Sequence, residues 1–78
     1  PNPFNPETSI DYGIPYYSNV DIKIYNSLGQ LVHEVINQYH QAGIYSFIWT
    51  PKNISSGTYY VQLQSNDIII SKKIIYLK

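Results

Sequence analysis

Two histidines, five acids and nine tyrosines are the residues of this 78-residue chain whose types could do chemistry. A zinc site needs three or four ligands within tetrahedral reach. The chain has no Cys, and its pattern puts His33 on a strand and His40 in a loop, with no third ligand beside them. Glu7, Asp11, Asp21, Glu34 and Asp67 are scattered singly, each beside a strand or turn where an exposed charge is expected. General acid–base catalysis needs such groups within hydrogen-bond reach of one another or of a nucleophile, and the spacing brings none together. The expectation is no catalytic residue, no metal and no cofactor. Tyr16, Tyr17, Tyr39 and Tyr60 are open to another use, since exposed rings stack on sugars or anchor a protein partner. A coplanar row of them would mark a sugar-binding platform. Otherwise tyrosine simply suits a pleated, half-buried surface. The "NIS" at Asn53 matches a glycosylation sequon, a motif too frequent by chance to carry weight.

The elements that must position these residues follow from composition and period. The chain is 44% hydrophobic but only 13% charged, against about 25% in an average soluble domain. That is too apolar for disorder and, with its Tyr, Ile and Val, too rich in strand formers to be helical. A chain of this size forms one domain and needs two packed layers to bury enough surface. Five Lys balance five acids, so the basic footprint of a nucleic-acid or polybasic membrane binder is missing. Without Cys, stability must come from packing, and the compartment is left open. No apolar run approaches the roughly 20 residues that span a bilayer, because "IIISKKIIYL" is cut by two lysines. The chain opens without Met and without a basic-then-apolar leader. It reads as a module joined to upstream sequence that carries any export signal.

Period-2 alternation runs through most of the chain. "SIDY" sets Ile10 and Tyr12 against Ser9 and Asp11, and "VDIKI" sets Val20, Ile22 and Ile24 against Asp21 and Lys23. "NSLG" supplies a type I hairpin turn from Asn26 to Gly29. In "LVHEVIN" Val32 and Val35 can share a face only through a bulge. "QYHQAG" reads as a loop ending in Gly43, and "YSFIW" puts Tyr45, Phe47 and Trp49 on one side until Pro51 ends the strand. With no disulfide, Trp49 is expected to pack on aliphatic neighbours. After the loop "KNISSG", "TYYVQLQ" turns Tyr59, Val61 and Leu63 inward. "SND" then turns into a last strand from Ile68 to Leu77. About seven short antiparallel strands with turn signals every roughly 8–12 residues give an all-β, immunoglobulin-like sandwich of two sheets. Residues 1–7, "PNPFNPE", form an extended lead-in whose prolines enforce β or polyproline geometry, with Phe4 plugging one end of a sandwich over 8–78.

Five stretches in order, "PNPFNPETSIDYGIP", "IKIYNSLGQLV", "AGIYSFIWTP", "SSGTYYVQLQ" and "KKIIYLK", resemble type A C-terminal sorting domains of the type IX secretion system. They also resemble the related immunoglobulin-like module of the flagellar hook-capping family, to whose variant "NPFNP" and the tryptophan strand come nearer. The likeness covers essentially the whole chain. It implies a non-catalytic secretion signal at the C-terminus of an exported cargo, read by an outer-membrane translocon and removed by a surface sortase at or before the start of the domain. It implies a secreted or cell-surface destination, no nucleic acid and no small-molecule substrate. Carried over by position, the recognition residues are Pro3, Phe4, Asn5 and Pro6 of the lead-in, Gly29, Gly43, Gly57 and Tyr59, and Lys72, Lys73 and Lys78 of the terminal strand. Turn chemistry alone accounts for Gly57 opening a strand and Tyr59 as its first inward residue. Lys72 and Lys73 have two readings: gatekeepers of a sticky edge, or part of an address gripped by strand addition. An unpaired edge from Ile68 to Leu77 could also pair weakly with a second copy. The alternative functions are a carbohydrate-binding or structural module on a secreted enzyme, and docking within a hook cap.

Overall fold

The computed structural model describes residues 8–66 and 68–77, so Pro3, Phe4, Asn5, Pro6 and Lys78, with the expected plug at Phe4, lie outside the described residues. Six strands form: β1 (Thr8–Ile14), β2 (Ser18–Asn26), β3 (Leu31–His40), β4 (Gly43–Trp49), β5 (Gly57–Ser65) and β6 (Ile68–Tyr76). A two-stranded sheet, β1–β4, faces a four-stranded sheet in the order β3-β2-β5-β6, and every pairing is antiparallel. The described chain is an all-β sandwich, as the alternation requires.

Val20, Ile22 and Ile24 lie on the inner face of β2, a strand with neighbours on both sides, and all three are fully buried. Ile10 and Ile14 of β1, Val61 and Leu63 of β5, and Ile74 of β6 complete the aliphatic core. Trp49 is buried in one cluster with the aliphatic core, and it also has aromatic neighbours. Tyr59 meets it edge-on at 5.7 Å and Tyr76 lies at 6.4 Å. Rings at such distances and tilts add an electrostatic attraction to their buried area.

The β2–β3 hairpin turns at Asn26–Gly29. The Gly29 amide donates to the Asn26 carbonyl and the Asn26 amide to the Gln30 carbonyl, both at 3.0 Å. The Asn26 side-chain oxygen accepts from the amides of Leu28 and Gln30 at 2.9 Å each. Gly29 has φ +81°, in the left-handed region where a Cβ is strained even though space around it is open. Beyond the turn β3 bulges twice. Lys23 pairs with Glu34 directly after Ile22 pairs with Ile36, and Tyr25 pairs with Leu31 directly after Ile24 pairs with His33. The unpaired extra residues are Val35 and Val32, and both pack on the core. The expected loop "QYHQAG" is largely strand, because Gln38, Tyr39 and His40 continue the ladder opposite Val20, Asn19 and Ser18. Only Gln41 and Ala42 separate β3 from β4. Both histidines therefore belong to one strand.

Candidate recognition surface

Two corners are built alike. The chain leaves one sheet for the other between β3 and β4, and crosses back between β4 and β5. Each crossing ends in Gly-x-Tyr: Gly43-Ile44-Tyr45 and Gly57-Thr58-Tyr59. The glycines share the same backbone φ, 157° and 158°. The tyrosine hydroxyls reach back four residues to donate to a main-chain carbonyl, Tyr45 to Gln41 and Tyr59 to Ser55, each at 2.6 Å. Such a bond ties the start of a strand to the loop that delivers it, as in the tyrosine corner of immunoglobulin-like sandwiches. The repetition of "GIY" and "GTY" was the available sequence signal; the latch at Tyr45 escapes an analysis of alternation alone.

The described members of the expected recognition set do not converge. Gly29 and Gly57 sit at the end of the sandwich where β2 and β6 finish, since Tyr59 is opposite Asn26 and Gly57 opposite Tyr76. Gly43 opens β4 opposite Ile14, at the other end. Lys72 and Lys73 lie midway along β6, opposite Val61 and Tyr60. Three of these positions are corners of the scaffold; the lysines alone are on an open edge.

That edge is the most unusual surface. β6 pairs with β5 and has no described neighbour on its other side. Its last turn inward, Ile74 and Tyr76, is buried, whereas Ile68, Ile69, Ile70, Ile75 and Leu77 are exposed at 47–66%. Alternation places Lys72 on the inner side with Ile70 and Lys73 on the outer side with Ile69 and Ile75. The inner side opens because two strands cannot cover four. A cleft of about 310 Å³ runs between β1 and β6, lined by Ile10, Gly13, Val61, Leu63, Ile70 and Lys72 among others. On the opposite flank a cleft of about 380 Å³ lies between β4 and the bulged β3, walled by Val32, Val35, Phe47, Trp49, Pro51 and Ile54 with polar neighbours.

The remaining chemistry-bearing residues are held in structural roles. His40 is buried, and its Nε2 shares a 2.9 Å hydrogen bond with the Tyr12 hydroxyl. Tyr45 stacks on Tyr12 at 5.5 Å and tilts against His40 at 4.4 Å. Burial, and then the neighbouring Tyr45, push the Tyr12 phenol above the usual tyrosine range. Among the described residues no three of His, Asp and Glu gather as metal ligands. Tyr17 and Tyr39 are exposed but stack on each other at 5.1 Å and 24°. Tyr16 receives a bond from the Asn66 amide at 3.4 Å, and Tyr60 lies on β5 opposite Lys73. Tyr17 and Tyr39 thus cover one face of each other instead of lying side by side.

Against known families, the model described as the secretion system C-terminal sorting domain matches residues 1–77. Comparison with curated proteins and with solved structures returned no match.

Proposed function

This chain belongs to the secretion-system C-terminal sorting domain family, whose members mark proteins for export through the type IX system to the cell surface or beyond, and from that premise we propose that the secretion machinery reads the open edge of β6. The observation that carries this reading is an edge strand with four exposed isoleucines and two lysines, followed directly by exposed Leu77. Exposed apolar edges invite aggregation and are ordinarily covered or kept short, so one nine residues long fits a surface held for a partner. An extended segment adding to it would gain main-chain hydrogen bonds, with side-chain pockets setting specificity.

In this reading the domain performs no chemistry. It folds as a rigid tag, its corners latched by Tyr45 and Tyr59, and presents β6 to the translocon. A surface sortase then separates it from the cargo at or before the lead-in. Pro3, Phe4, Asn5 and Pro6 of the lead-in, and Lys78, contribute further recognition motifs in this reading. The test is a reporter fused to the full chain in a type IX-competent bacterium, compared with the same fusion lacking residues 72–78. Surface display of the full fusion and retention of the truncated one is expected. Equal display of both removes β6 as the address.

A further inference from the structure

The charges at the centre of β6 disfavour fully overlapped pairing with a copy of itself, and the same charges define what it accepts. In antiparallel pairing of two β6 edges about a twofold axis, registers with full overlap centre near Lys72. The central register sets Lys72 against Lys72 of the other copy, and like charges directly opposite are destabilising. The edge is apolar enough to need a partner, and a segment of opposite charge suits its centre better than a copy of itself. The one ion pair among the described residues is Lys23–Asp21, at 3.4 Å on the neighbouring face of β2. Among the described residues neither Lys72 nor Lys73 has a carboxylate at ion-pair distance, although Asp11 lines the cleft that Lys72 also borders. The two lysines are consecutive, so they project to opposite faces of the sheet.

We infer that the cognate partner of β6 is an extended segment with carboxylates at two consecutive positions, flanked by β-branched apolar residues. Adjacent positions are required because one carboxylate must meet Lys72 on the inner face and the other Lys73 on the outer face. Apolar flanks are required because Ile69 and Ile70 lie to one side of the lysines and Ile75 and Leu77 to the other, all exposed. The inference rests on β6 being the address, and adds its chemistry.

The test uses the full 78-residue chain and two synthetic ten-residue peptides of alternating Thr and Val, one with Glu-Glu at its centre and one with Gln-Gln. Binding is read by fluorescence anisotropy and mapped by amide chemical shifts. The Glu-Glu peptide is expected to bind about tenfold more tightly than the Gln-Gln peptide. The preference should shrink as salt rises, and shifts should concentrate in Ile68–Tyr76. Lys72→Glu/Lys73→Glu should transfer the preference to a Lys-Lys peptide, while Lys72→Arg/Lys73→Arg keeps it. These side chains are exposed, so circular dichroism of both variants should match the parent. Equal binding of the two peptides, binding of neither, or shifts centred elsewhere would overturn the inference. In cells, the charge-reversed fusion should lose display while the arginine variant keeps it. Display of the charge-reversed fusion beside failure of the 72–78 deletion refutes the partner chemistry and leaves the β6 reading intact. Display of the deletion itself refutes the reading.

Discussion

Tyr59→Phe tests whether the Gly-x-Tyr corners carry the load assigned to them. The substitution keeps a ring that is 6% exposed and edge-on to Trp49 and Tyr76, and removes only the hydroxyl that donates to the Ser55 carbonyl. A net hydrogen bond contributes about 0.5–1.5 kcal/mol, and a partner carbonyl left dry costs about 1–3 kcal/mol. The corner is part-buried, so a loss of about 1.5 kcal/mol is expected. A domain of this size loses about 4–8 °C in Tm per kcal/mol, which predicts a fall of about 6–12 °C. Tyr45→Phe removes the same length of bond, but from an exposed corner where water replaces it, and should cost about 0.5 kcal/mol. The corners cap opposite ends of the sandwich, so the double variant should lose the sum to within about 0.5 kcal/mol. The assay is urea unfolding followed by fluorescence of the single Trp49 and, independently of that ring, by far-ultraviolet circular dichroism. A Tyr59→Phe midpoint equal to the parent, or a larger loss for Tyr45→Phe, would refute the latch argument.

Two further outcomes follow from the core and its aromatic cluster. Ile22→Ala empties a site with no exposure on the strand between β3 and β5. It should cost about 4 kcal/mol, near the top of the range for such truncations, unfolding much of the chain at 37 °C by circular dichroism. In alkali, Tyr12 binds its proton more tightly folded than unfolded. Its contribution to stability is therefore full below the ordinary tyrosine range and is lost as pH climbs through the raised folded value. Alkaline unfolding should set in at higher pH in Tyr12→Phe relative to its own neutral-pH stability, and phenolate absorbance should show Tyr12 among the later tyrosines to ionise.

Local pattern was a good guide wherever one residue's neighbours along the chain decide its environment. Val20, Ile22 and Ile24 face inward because a strand offers alternate sides and only one is dry. Asn26 and Gly29 turn because their own side chain and φ suffice. The crowding of Val32 and Val35 announced a bulge, though not that each valine occupies one of its own. The pattern failed where the deciding partner is remote. Gln38 and Tyr39 are polar enough to pass for loop, yet pairing with β2 holds them in strand. His40 was read as part of a loop, yet it is a buried strand residue that shares a hydrogen bond with Tyr12 of the opposite sheet. The tyrosines beside Trp49 come from the start of β5 and the end of β6, a meeting that no local pattern announces.

By itself the chain determined its period, its turns and the order of its motifs, since these depend on interactions between residues a few positions apart. Which strand stands at the rim was a matter for the tertiary structure, because strand order follows from how two sheets share one small core. "IIISKKIIYL" is equally compatible with a central strand or an outer one. Only the arrangement β3-β2-β5-β6, under a lid two strands wide, leaves its isoleucines and lysines open to water.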